Sequence, residues 1–60
     1  MSEPTPIKVV LIDDHALCRS GLSDLLQQRG GMQVMAALGD PELLVPALRE
    51  HAPDVLVMDL

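Results

Sequence analysis

Three carboxylates close the two most apolar stretches of this chain. Asp13 and Asp14 follow the run Ile7 to Ile12, and Asp59 follows the run Val55 to Met58. If the runs are neighbouring parallel strands, about 4.8 Å apart, the three acids meet at one end of a sheet. Two unit charges about 5 Å apart repel by roughly 3 kcal/mol at an effective dielectric near 20, so such a cluster asks for a cation. Carboxylates around a hard cation are the machinery of metal-assisted phosphate chemistry. Each residue also has a plainer role. Asp14 suits the N-cap of a following helix, and His15 is expected as a first-turn helix residue, since hard cations prefer oxygen. Asp13 is harder to explain structurally, because a carboxylate at the end of a buried strand gains nothing from burial.

The elements that must position these acids follow from periodicity. The first run is interrupted only by Lys8, is too short for a helix and is rich in β-branched residues, so it reads as a strand buried on both faces. From Ala16 to about Arg29 the period becomes helical. Leu17, Cys18, Gly21, Leu22, Leu25 and Leu26 fall on one half of the wheel, and Arg19, Ser20, Ser23, Asp24 and Gln27 on the other. Gly30 and Gly31 supply a left-handed exit, and Gly21 inside the apolar stripe suggests a close approach to a sheet. Gln33 to Leu38 is a second, weaker strand. Asp40 then caps a helix with Pro41 at its first position and Glu42 in its first turn. Leu43, Leu44, Ala47 and Leu48 form its expected buried stripe, and His51 sits near its negative end. Pro46 predicts a kink, or a helix shortened at its start. Ala52 and Pro53 end it, and Asp54 to Met58 make a third strand. Asp54 has no evident role, and Met32, Met35 and Met58 read as gap-fillers.

This order specifies an α/β fold with a parallel three-stranded sheet. Right-handed crossovers, with strands two and three on either side of strand one, give the order 2-1-3 and put helices on both faces. Ligands of such sheets bind beyond the carboxyl ends of the strands where the order reverses, which is where Asp13, Asp14 and Asp59 lie.

Composition narrows the partners. The chain has 60 residues, a formal net charge of -5 and four Lys or Arg, which argues against direct nucleic-acid binding by this segment. No aromatic residue is present to stack on bases. One cysteine, Cys18, allows no internal disulfide, fits a reducing cytoplasm and is expected to be a small buried hydrophobe. Residues 1–6 read as a loose tail rather than a signal peptide. No apolar stretch reaches the roughly 20 residues that span a bilayer. A core built without aromatics in so short a chain is expected to be marginal.

The strings IKVVLIDDH and PDVLVMDL resemble the receiver domain of bacterial two-component response regulators, a flavodoxin-like fold. Arg19, Gly21 and Leu22 after Asp13-Asp14-His15 look more particularly like the NarL/FixJ (LuxR-type) group. The likeness covers residues 7–60 and only the first half of that domain, so a truncated receiver is expected. The resemblance implies that Asp59 accepts a phosphoryl group from a sensor histidine kinase, with Mg²⁺ held by Asp13, Asp14 and Asp59. It implies a bacterial, cytoplasmic phosphoacceptor rather than an enzyme, capable at most of catalysing its own phosphotransfer. It also implies control of transcription through a DNA-binding output domain absent from this chain. The family's switch Ser or Thr and its Lys belong to strands four and five, beyond Leu60.

Two rivals remain. A metal-dependent phosphohydrolase fragment would use Asp13, Asp14 and His15 as ligands and Asp59 as nucleophile or further ligand. A truncated receiver could instead act as a non-catalytic dimerisation or interaction module, self-associating through the exposed edge of strand three. A dinucleotide binder is disfavoured further by the turn DDHALCRSG, which lacks G-x-G-x-x-G.

Overall fold

The computed structural model describes residues 5–59. The expected tail therefore lies mostly outside the described residues; Thr5 and Pro6 are exposed and without regular structure. The elements run β1 (Ile7–Asp13), α1 (Ala16–Gln28), β2 (Met32–Leu38), a 3-10 turn (Pro41–Leu43), α2 (Leu44–His51) and β3 (Val55–Asp59). The three strands form one parallel sheet in the order β2-β1-β3. This is the expected α/β arrangement of a partial receiver fold.

β1 is central because its sequence can be buried on both sides. Successive residues of a strand face opposite ways, yet Val9, Val10, Leu11 and Ile12 are all 2% exposed or less. α1 packs against β1 and β2, and α2 against the same two strands. Right-handed crossovers leading to opposite sides of β1 put the two helices on opposite faces. Among the described residues the remaining buried positions are Ala47 of α2 and Asp13, so the core is as thin as the composition implies. β2 carries a register shift opposite Val9 and Val10, where Val34 and Ala36 are the partners and Met35 is the extra residue.

α1 is turned differently from its wheel. Leu17 is 86% exposed, and Leu25, Gly21 and Cys18 are also exposed. Arg19, Leu22, Ser23 and Leu26 are half-buried, a stripe with i, i+3, i+4, i+7 spacing. The expectation of a buried Cys18 and a closely approached Gly21 is thus corrected; a Cβ built on Gly21 meets nothing within 4 Å. The physical reason is a tether that periodicity does not encode. Arg19 donates from Nη1 to the Asp13 carbonyl at 2.9 Å, which draws its side of the helix inward. Gly30 and Gly31, at φ 74° and 76°, take the left-handed exit.

Asp40 caps the next segment, its carboxylate accepting from the Glu42 N–H at 2.9 Å with Pro41 beginning the 3-10 turn. α2 then starts at Leu44, which puts Pro46 in its first turn, where a missing N–H loses no helical bond. The helix is shortened at its start. Leu43 consequently leaves the buried stripe and is 52% exposed. Met58, expected to fill a gap, is 54% exposed, whereas Met32 and Met35 are half-buried. His51 is the last residue of α2, with Nε2 4.0 Å from Glu50 Oε2. Among the described residues no helix is long and apolar enough to cross a membrane.

Asp54, given no role by its sequence context, sets the start of β3. Its N–H donates to the Lys8 carbonyl at 2.8 Å, and its Oδ2 accepts from the Lys8 N–H at 2.9 Å. This reciprocal pair fixes β3 against β1 in the register that brings Asp59 opposite Asp13. A one-residue slip would send every β3 side chain to the other face. Asp54→Ala is expected to lower stability by about 1 kcal/mol, with Asp54→Asn restoring most of it, as read by urea denaturation. Equal midpoints for Ala and wild type would show that the bond contributes nothing.

Candidate functional site: an acidic cluster at the carboxyl end of the sheet

Asp13 reaches the site as the last residue of β1, with its side chain 1% exposed. Oδ1 accepts the His15 N–H at 2.9 Å, closing a tight turn. Oδ2 is buried with no hydrogen-bond partner. A buried carboxylate oxygen without a partner is costly, and here it points to a hard ligand as its complement.

Asp14 and His15 form the bend between β1 and α1. Their side chains are 53% and 73% exposed. His15 Nδ1 lies 2.8 Å from Asp14 Oδ1 and 3.6 Å from Asp13 Oδ1. His15, not Asp14, is the N-cap residue of α1, in an extended conformation and without a side-chain cap bond. That corrects both plain readings. Asp14 does not cap, and His15 precedes the first helical turn rather than belonging to it. Asp14 is left free of a structural duty in the helix, with its carboxylate beside that of Asp13.

Ligand atoms of Asp13, Asp14 and His15 all lie within 4.8 Å of one another. Asp59 lies outside that tight group. It ends β3, is exposed, and is the register partner of Asp13. Partners in a parallel ladder project to the same face, about 4.8 Å apart along the hydrogen-bonding direction. The structure therefore brings two clustered carboxylates and a third, opposed one to the same end of the sheet. Asp54 stands at the other end, beside Lys8.

The donors could hold a hard divalent cation such as Mg²⁺. It is a hard ion that takes few carboxylates and otherwise water or phosphate oxygens, and the orphaned Asp13 Oδ2 with the accessible Asp14 carboxylate offers that kind of set. The His15 imidazole is better placed as a hydrogen-bond neighbour of Asp14 than as a ligand of such an ion.

Two contacts of the site escape a reading by motif, although Arg19 itself belongs to the string that carries the NarL/FixJ resemblance. Arg19 bonds the Asp13 carbonyl, and its guanidinium lies over Gly39, just after β2. The available signal was a cation in the first turn of a helix, where the macrodipole disfavours it. Gly39 gave no signal, because its use depends on a side chain twenty positions away.

Comparisons with known proteins come from two directions. Over 55 residues, 92% of this chain and 15% of the relative, it is 40% identical to a protein-glutamate methylesterase/protein-glutamine glutaminase 5 of Anaeromyxobacter dehalogenans (strain 2CP-C). Over 54 residues, 90% of this chain and 25% of the relative, it is 43% identical to the oxygen regulatory protein NreC of Staphylococcus haemolyticus (strain JCSC1435). The same protein of Staphylococcus epidermidis (strain ATCC 35984 / DSM 28319 / BCRC 17069 / CCUG 31568 / BM 3577 / RP62A) is 41% identical over 54 residues. The chain thus spans from 15% to 25% of the length of these relatives. No family model matches it, and no solved structure does. The relatives carry quite different names, a protein-glutamate methylesterase/protein-glutamine glutaminase and an oxygen regulatory protein, and each is matched over a short stretch of its own length. Together with the parallel sheet in the order β2-β1-β3, this likeness is that of a receiver-domain fragment of bacterial response regulators of the NarL group.

Proposed function

We propose that residues 7–60 serve as the phosphoacceptor half of a receiver, with Asp59 taking a phosphoryl group from the phosphohistidine of a sensor histidine kinase. A carboxylate oxygen of Asp59 forms the new O–P bond as the N–P bond breaks. The histidine nitrogen keeps the electron pair and takes up a proton, leaving an acyl phosphate on Asp59. Asp13, Asp14 and Asp59 would hold Mg²⁺, which when bound neutralises charge on the transferring phosphoryl oxygens. Asp13 contributes a fixed, water-shielded carboxylate, and Asp14 an accessible one. Asp59, being exposed, can meet a large donor without the fold opening. The observation that carries this reading is the Asp13–Asp59 register at the sheet's carboxyl end, together with the orphaned Asp13 oxygen.

In this reading the chain is no enzyme beyond its own phosphotransfer. It acts in the bacterial cytoplasm, away from membranes, and reaches DNA only through an output domain elsewhere in the polypeptide. The test is incubation with Mg²⁺ and acetyl phosphate, followed by intact mass. One hydroxylamine-labile phosphoryl group per chain is expected, absent without Mg²⁺ and absent in Asp59→Asn. Label that persists in Asp59→Asn sinks the assignment, and repeated turnover of a phosphoester would favour the phosphohydrolase.

A second reading rests on β3. It forms one edge of the sheet, and its Val55 and Met58 are 44% and 54% exposed. Unpaired N–H and C=O groups beside apolar side chains are a template for another strand. A second copy of the chain is the proposed occupant, and light scattering should show mass rising with concentration. A folded monomer at all concentrations would remove this reading while leaving phosphorylation untouched.

A further inference from the structure

We propose that Arg19 is the positioning residue of the acidic site, and that Gly39 lacks a side chain in order to admit its guanidinium. The inference rests on the acidic cluster being a divalent-cation site, as argued above.

Arg19 occupies the fourth position of α1, its own N–H bonded to the His15 carbonyl at 2.9 Å. A cation this close to a helix N-terminus works against the macrodipole, so its position needs compensation. Its Nη1 supplies that by donating to the Asp13 carbonyl at 2.9 Å. The residue is half-buried, although its neighbours on the wheel gave it to solvent. An ideal Cβ on Gly39 would stand 2.5 Å from Arg19 Nη1, 3.1 Å from Cζ and 3.5 Å from Nη2, and these three are its nearest atoms. Gly39 is not among the glycines with positive φ. A Cβ there would therefore displace the guanidinium, the far end of a flexible side chain, and would not strain the backbone. The guanidinium links the end of β1, the first turn of α1 and the loop leaving β2.

The bond is made to the Asp13 peptide, whose carboxylate is the buried one. Fixing that carbonyl fixes the direction in which the Asp13 side chain leaves the strand, and with it the placement of Oδ2. Arg19 thus acts on the site through Asp13 and not by contact with a ligand. Its positive charge alone would have the opposite effect, since a cation beside a cation site repels the ion. The sign of the change on removing Arg19 separates the two roles.

The experiment measures Mn²⁺ binding to the full chain by the paramagnetic resonance of free ion, with circular dichroism confirming fold. Wild type, Asp13→Asn, Arg19→Ala, Gly39→Ala and the Arg19→Ala/Gly39→Ala double variant are compared. Supporting partners of metal ligands typically change affinity by about tenfold or more, and a loss of about that size is expected for Arg19→Ala. Gly39→Ala should weaken binding similarly with no change in charge, and the double variant should be no weaker than Arg19→Ala, because both changes break one arrangement. Should Arg19→Ala fail to fold, Gly39→Ala carries the test alone. Unchanged or tighter binding in the single variants, or additive losses, overturns the positioning role while the metal site stands. Wild-type binding indifferent to Asp13→Asn removes the metal site itself, and the positioning role with it.

Discussion

Asp13→Asn is expected to lower Mg²⁺-dependent loading of Asp59 by roughly a hundredfold or more, the scale set by deleting a preorganised charged group from a reacting site. The same substitution is expected to leave the fold intact. The Asn side-chain oxygen can still accept the His15 N–H that Asp13 Oδ1 accepts at 2.9 Å, and the backbone carbonyl that holds Arg19 is unchanged. What disappears is a negative charge 1% exposed, with one oxygen lacking any partner. Burial of an uncompensated charge is unfavourable, so in the absence of divalent cations Asp13→Asn should be at least as stable as wild type, by as much as about 1 kcal/mol. A purely structural Asp13 would behave in the reverse way, losing stability and sparing phosphorylation. The pair of measurements, acyl phosphate formed with acetyl phosphate and the urea midpoint without metal, therefore has opposite signs under the two explanations. Loading that survives Asp13→Asn at wild-type rate would sink the functional one.

How much of this was written in the chain differs element by element. The run Ile7 to Ile12 announced a strand covered on both faces, since no alternation marked a wet side, and its four central residues are buried accordingly. The opposition of Asp13 and Asp59 followed from two acids at strand ends once the third strand was placed beside the first, with no knowledge of side chains. Asp40 and Pro41 announced the start of the second helical segment, and Pro46 its shortened α-helix. The rotation of α1 was not legible. A wheel ranks residues by apolarity, and by that measure Leu17 and Leu25 outrank Arg19 and Ser23. The observed rotation is decided by a hydrogen bond from Arg19 to the Asp13 carbonyl and by room above Gly39, contacts between positions that periodicity treats as independent. Asp54 was missed for a related reason. Its value lies in a reciprocal bond with Lys8, forty-six residues away.

The same disagreement over α1 fixes the second large prediction. Leu11→Ala is expected to unfold the chain at room temperature, whereas Leu17→Ala is expected to change stability by no more than about 0.5 kcal/mol. Leu11 is 0% exposed at the centre of β1, paired with Ala37 of β2 and Val57 of β3. Truncating a buried Leu to Ala costs about 2–5 kcal/mol through lost transfer energy and the cavity left behind. A single core in a chain this small rarely supplies more than about 3–5 kcal/mol, so one substitution can exhaust it. No aromatic side chain stands by to fill the void, and among the described residues the other buried apolar residues are Val9, Val10, Ile12 and Ala47, too few to collapse around it. Leu17, at 86% exposure, has little burial to lose. Far-UV circular dichroism against urea distinguishes the two directly. The outcome also bears on the acidic site, because Leu11 lies on the same strand face as Asp13 and faces Val57 as Asp13 faces Asp59. The β1–β3 pairing that Leu11 stabilises is the one that brings the phosphoacceptor to the metal carboxylates. Loss of fold in Leu11→Ala should therefore abolish Asp59 loading without touching any charged residue, and retained loading in an unfolded chain would mean that the sheet is not what assembles the site.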